Sequence, residues 1–138
     1  MQKLRSVLLV DDDPTNNFLN QRLLKRFDVA EQVVVAENGQ EALLLLQPAG
    51  SEAPEFPAII LLDIQMPIMN GIEFLQAYQQ LPAAQRRNTT VVVLSTSVDA
   101  RDLSRLDGLP AAGRLNKPLT LEKITEVLQL HSERQQMG

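Results

Sequence analysis

The segment Ala58-Ile59-Ile60-Leu61-Leu62-Asp63-Ile64-Gln65-Met66-Pro67-Ile68-Met69-Asn70-Gly71 sets the architecture of the chain. It opens on an unbroken apolar run, the pattern of a strand covered on both faces. Asp63 comes straight after that run, at the carboxyl end of the strand and so at the mouth of a sheet. Ile64 to Gly71 reads as a loop leading into a helix. Upstream, Val7-Leu8-Leu9-Val10 is a second apolar run, also followed by acids, Asp11-Asp12-Asp13. If the two strands are neighbours, three or more carboxylates converge on one point. Such a cluster repels itself unless a cation lies among them, so the pattern points to a metal site with a potential nucleophile in it.

Outward from these two runs, short apolar stretches alternate with longer amphipathic ones. Strands are expected at residues 5–10, 32–36, 58–62, 90–95 and 113–116. Helices are expected at 14–27, 39–47, 71–81, around 100–107, and at 121–130. Asp13 is placed to cap the first, with Pro14 tolerated at its first position. Asn38, with Glu41 three residues on, resembles a capping box for the second. Pro82 stops the third. Asp99 caps the fourth, and Gly108-Leu109-Pro110 ends it. Thr120 caps the last, whose Leu121, Ile124, Val127 and Leu128 share one face. This order, βα five times over, implies an α/β fold: a single doubly wound, five-stranded parallel sheet with right-handed crossovers. Residues 48–57 make a loop longer than such folds usually need. One domain is expected over residues 1–131, with a polar, frayed tail at 132–138.

The 138 residues suffice for one domain with a real core. A net charge of -4 argues against direct nucleic-acid binding, which needs a basic surface. There is no cysteine, hence no disulfide and no thiolate chemistry. His131 is the only histidine, so a histidine-based zinc site is not expected, and His131 reads as a solvated surface residue. The apolar stretch near the N-terminus is too short for a signal peptide, and no segment is long enough to span a membrane. A cytoplasmic location is the default.

In an open α/β sheet, ligands bind beyond the carboxyl ends of the strands. The residues at those ends are Asp11 and Asp12, Asp63, Ser95 and Thr96, and Lys117, with Asn38 after the second strand. Magnesium prefers one or two carboxylates plus waters and phosphate oxygens. A hydroxyl and an ammonium would serve the other oxygens of a phosphoryl group. The set suggests phosphoryl transfer to or from an aspartate.

Four motifs in order then resemble the receiver domain of two-component response regulators. They are Val7-Leu8-Leu9-Val10-Asp11-Asp12; Leu61-Leu62-Asp63-Ile64-Gln65-Met66-Pro67 with Asn70-Gly71; Val93-Leu94-Ser95-Thr96; and Lys117-Pro118-Leu119. The likeness spans nearly the whole chain. It implies a flavodoxin-like sheet of order 2-1-3-4-5, as in the chemotaxis receiver. It implies that Asp63 accepts the phosphoryl group as an acyl phosphate, in a reaction that needs Mg2+. Asp12 would hold the ion directly, Asp11 mainly through water, and the backbone carbonyl of Gln65 would be a further ligand beside Asp63. Ser95 and Lys117 would each bind a phosphoryl oxygen, and Lys117-Pro118 would be cis. The donor would be a histidine kinase or a histidine phosphotransfer protein. The output would be a switched surface that binds a downstream protein target, as a monomer or a phosphorylation-dependent dimer. If the chain is complete it is a stand-alone receiver; if excised, its output domain lies elsewhere.

Two positions depart from the family pattern. Arg114 stands three residues before Lys117, where an aromatic residue is usual, so an arginine that stays outside and meets a partner is expected instead. Thr96 stands where many receivers have a smaller residue and would narrow access to the phosphoryl site. Ser97 beside it leaves the register of the hydroxyl uncertain by one position. Other readings stay open. Asp13 alone is simply a helix cap. Asp11-Asp12-Asp13-Pro14-Thr15 also fits a haloacid-dehalogenase-like phosphatase with Asp11 as nucleophile, but no pair of acids follows Lys117 at a strand end (Glu122 and Glu126 fall inside a helix and Glu133 in the polar tail), and Asp63 is left without a job. A receiver-like interaction module that is never phosphorylated is a third possibility.

Overall fold

The computed structural model describes residues 3–47, 56–95 and 104–137. Five strands form one sheet: β1 (Leu4–Val10), β2 (Ala30–Ala36), β3 (Ile59–Asp63), β4 (Thr90–Ser95) and β5 (Gly113–Asn116). Their order is β2-β1-β3-β4-β5, and every pairing is parallel. The helices are α1 (Pro14–Arg26), α2 (Gly39–Leu45), α3 (Gly71–Tyr78), the short α4 (Ala83–Arg86) and the C-terminal α5 (Leu121–Met137). Residues 104–106 are also helical.

Continuous apolar strands serve two cores because side chains alternate across the sheet. Leu8, Val10, Ile60, Leu62, Val91 and Val93 face one way and pack with Phe74, Leu75 and Tyr78 of α3. Val7, Leu9, Ile59, Leu61, Val92 and Leu94 face the other, against Leu24 of α1 and Ile124 and Val127 of α5. All five residues of β3 are buried.

The caps form largely as the sequence suggests. Asp13 accepts the Thr15 N–H at 2.9 Å, and Thr120 Oγ1 accepts the Lys123 N–H at 3.2 Å. Asn38 Oδ1 accepts the Glu41 N–H at 2.8 Å. A reciprocal capping box forms at Asn70 and Glu73.

Several expectations need correction. Asp63 is the last residue of β3 rather than the first residue beyond it, so the sheet itself holds its backbone. Helix α4 lies where the sequence pattern places no element. Pro82 starts it, the Arg86 side chain donates to the Leu81 carbonyl at 2.9 Å, and its guanidinium sits over the Tyr78 ring. The tail after Leu130 does not fray, because α5 continues to Met137. Nor is His131 a free surface residue. It is half-buried, and its Nδ1 lies 2.8 Å from Thr90 Oγ1 at the start of β4. Arg134, one turn on, donates to the Thr89 carbonyl at 3.0 Å. The cap at Asp99, the start of the fourth expected helix, Thr96, Ser97 and most of the loop at 48–57 lie outside the described residues.

Candidate functional site

The site begins with register. Val10 of β1 pairs with Leu62 of β3, so Asp11 and Asp63 emerge level with each other at the carboxyl edge. Asp11 is pinned by its own N–H, which donates to the Ala36 carbonyl at 3.0 Å. Carboxylate oxygens of Asp11, Asp12 and Asp63 all lie within 4.8 Å of one another. Asp11 and Asp63 are buried and Asp12 is exposed.

Lys117 reaches this cluster from the far side of the sheet. Its Nζ is 2.7 Å from Asp11 Oδ2 and 3.5 Å from Asp63 Oδ1. The backbone aims it: the Lys117 N–H donates to the Ser95 carbonyl at 2.8 Å, continuing the pairing of β4 with β5. The Lys117-Pro118 peptide is cis. Lys123 braces the turn, its ammonium bonding the carbonyls of Asn116 at 2.6 Å and Pro118 at 2.9 Å. That bracing role was not foreseen; a lysine in the first turn of a helix, three residues after Thr120, gives no signal beyond a surface charge.

The loop after Asp63 is held tightly. Asp63 Oδ1 accepts the Ile64 N–H at 2.9 Å, and the Gly71 N–H donates to the Ile64 carbonyl at 2.8 Å. A Cβ at Gly71 would collide with the Asp63 carbonyl oxygen and come within 2.9 Å of Ile64 Cα, so only glycine lets the loop close. Gln65 lies in that loop with its side chain exposed. Ser95 ends β4, one residue beyond Leu94, the partner of Asp63. Arg114 is exposed on β5.

Electrostatics follow from this geometry. Burial pushes the Asp63 carboxyl above its ordinary value; Lys117 opposes that and the Asp11 charge adds to it. Burial works against the Lys117 ammonium, but its hydrogen bond to Asp11 and the charges of Asp63 and Asp11 outweigh it and leave Lys117 above the usual lysine value. One ammonium against three carboxylates leaves the cluster net negative. That donor set, all hard oxygens, fits a dication such as Mg2+.

The match to known proteins decides the family. The model of the response regulator receiver domain matches residues 7–129. The chain belongs to that family. Receiver domains are phosphoacceptor switches of two-component signalling, working with histidine kinases or phosphotransfer proteins and binding Mg2+ in an acidic pocket. This receiver is 31% identical over 122 residues to the sensory/regulatory protein RpfC of Xanthomonas campestris pv. campestris, covering 88% of the chain and 16% of RpfC. It is 32% identical over 124 residues to the signal transduction histidine-protein kinase BarA of Shigella flexneri, covering 89% of the chain and 12% of BarA. The chain thus spans a small part of these relatives. Among solved structures, a two-component response regulator from Cytophaga hutchinsonii superposes with a TM-score of 0.80 at 30% identity, over 96% of this receiver and 99% of that chain. The phosphatase-like reading loses its footing: Glu122 and Glu126 are exposed on α5 and take no part in the cluster of Asp11, Asp12 and Asp63.

Proposed function

We propose that this receiver is a Mg2+-dependent switch in which Asp63 accepts a phosphoryl group from a histidine kinase or histidine phosphotransfer protein. The observation that carries this reading is the ammonium of Lys117, set 2.7 Å from Asp11 and 3.5 Å from Asp63 beside a three-carboxylate cluster. Asp11, Asp12, Asp63 and the backbone carbonyl of Gln65 would hold Mg2+, with Asp11 acting mainly through water. Bound there, the ion offsets negative charge on the transferring phosphoryl group.

Asp63 Oδ1 is engaged by the Ile64 N–H and faces Lys117, which leaves Oδ2 to attack. A P–O bond forms on Asp63 as the P–N bond of the donor phosphohistidine breaks, and the donor imidazole, protonated on its other ring nitrogen, takes the P–N electron pair and leaves as the neutral base. Ser95 and Lys117 then take phosphoryl oxygens. The phosphoryl group is bulkier and more highly charged than the carboxylate it caps. Drawing Ser95 and Lys117 toward it biases a two-state surface around residues 104–106 and β5. Moving a population from 1:99 to 99:1 takes about 5.5 kcal/mol. Two or three charge-assisted hydrogen bonds, at about 1.5–3 kcal/mol each, are of the right size.

The chain then catalyses only its own phosphorylation and dephosphorylation, in the cytoplasm. The switched surface, with exposed Arg114 on it, meets a downstream protein target, as a monomer or a phosphorylation-dependent dimer. The test is phosphate uptake from acetyl phosphate, followed by intact mass. Wild type takes up one phosphate with Mg2+ and none in EDTA, and Asp63→Asn takes up none in either. Uptake by Asp63→Asn equal to wild type would refute the assignment.

A further inference from the structure

Asn17 is one of two buried residues on α1 and the polar one, with 5% of its surface exposed. Its Nδ2 donates to the Asp11 backbone carbonyl at 2.8 Å. Only the NH2 end of an amide can face a carbonyl, so the other end is fixed by that bond. That end, Oδ1, is buried and has no hydrogen-bond partner among the described residues. A buried acceptor left without a donor carries the full desolvation penalty of the group, and each such atom calls for an explanation. Leucine at this position would fill similar space without that acceptor, but would lose the bond to the Asp11 carbonyl.

The surroundings supply a reason. Asn17 and Asn20, three residues apart on α1, line a cavity of about 10 Å³ together with Asp11 and Asp63, over Leu61 and Leu94. That is the scale of a single water, and a buried water needs two to four polar partners. Four polar residues line the cavity: Asn17, Asn20, Asp11 and Asp63.

We propose that Asn17 is a positioning residue for the cation site, its NH2 fixing the Asp11 backbone and its carbonyl oxygen holding one ordered water against the Asp11–Asp63 side of the cavity. The water donates one proton to Asn17 Oδ1 and keeps the other for the acidic wall. Partners of this outer kind stop a ligand carboxylate from turning away from its metal. The inference rests on the reading of the three acids as a Mg2+ site.

Calorimetric titration with MgCl2, on the full unphosphorylated chain, tests it in wild type and Asn17→Leu. Wild type binds, and Asn17→Leu binds about tenfold more weakly, the low end of the loss for an outer partner of a metal site. In EDTA the variant gives a single cooperative melt, so a weaker Mg2+ affinity is read on a folded protein. Equal Mg2+ affinity in the two proteins overturns the role of Asn17 and leaves the Mg2+ site standing. A wild type that binds no Mg2+ overturns both. Should Asn17→Leu fail to fold, the wild type decides by NMR. A long-lived water giving a nuclear Overhauser effect to the Asn17 side-chain amide protons supports the assignment, and its absence overturns it.

Discussion

Asp11 and Asp63 are both buried carboxylates at strand ends, and their surroundings give them different work. Asp11 is occupied on both oxygens, by the Asp13 N–H at 2.9 Å and by Lys117. Asp63 is pushed above the ordinary value of 3.8, chiefly by burial. The folded chain therefore binds the Asp63 proton more tightly than the unfolded chain does. Stability from this group is present at low pH and lost as pH rises through the folded value. At pH 7 without divalent cation, ionised Asp63 works against the fold. Asp63→Asn should melt a few degrees above wild type in EDTA at pH 7. The margin should shrink as pH falls toward 3.8, and adding Mg2+ should close it by stabilising only wild type. Thermal melts across pH check this; an equal or lower melting point for Asp63→Asn at pH 7 would contradict it. At this scale the acids and Lys117 were legible in the sequence, because each follows an apolar run or precedes a proline. Asn17 was not. Helix α1 turns Asn17 inward while Phe18 and Leu19 are each 55% exposed, so its hydrophobic pattern points the wrong way.

Among the elements, α5 departs furthest from its sequence pattern. The residues after Leu130 are polar and carry no apolar stripe, yet they are helical to Met137. What holds them is distant in sequence: Thr90 meets His131 and the Thr89 carbonyl meets Arg134. A one-dimensional pattern does not contain such pairings, and helices of this length depend on them. Burial first, and the Arg134 charge second, lower His131 below its ordinary 6.5. The unfolded chain then binds the proton more tightly, so the contribution of His131 is present above 6.5 and lost as pH falls below it. His131 is the only histidine, so replacing it isolates its own part of the pH dependence. Urea midpoints measured from about pH 7.5 down to about pH 5 should fall in wild type. In His131→Gln that slope should flatten, with Thr90 still offered a hydrogen bond. An unchanged slope would show that the helix end is not coupled to this proton. Helix α4 escaped notice for a simpler reason: four residues after a proline carry too little periodicity to read.

At the scale of the molecule, the site exists because β1 and β3 are neighbours although β2 lies between them in sequence. Alternating strands and helices announce a parallel sheet, but every permutation of the strands has the same alternation. Hydrophobic pattern therefore reached the fold class, and only the likeness of the four motifs reached the order 2-1-3-4-5. That order sets Asp11, Asp12, Asp63, Ser95 and Lys117 at one edge, with α1 and α5 on one face and α2 and α3 on the other. It also makes Asp63 and Asp11 rivals for the same phosphoryl group, a few ångströms apart. Incubation with Mg2+ and acetyl phosphate, then borohydride reduction of the acyl phosphate and peptide mapping, separates them. The label should fall on Asp63 alone. Label on Asp11, or none where a known receiver reacts, would contradict Asp63 as the phosphoacceptor.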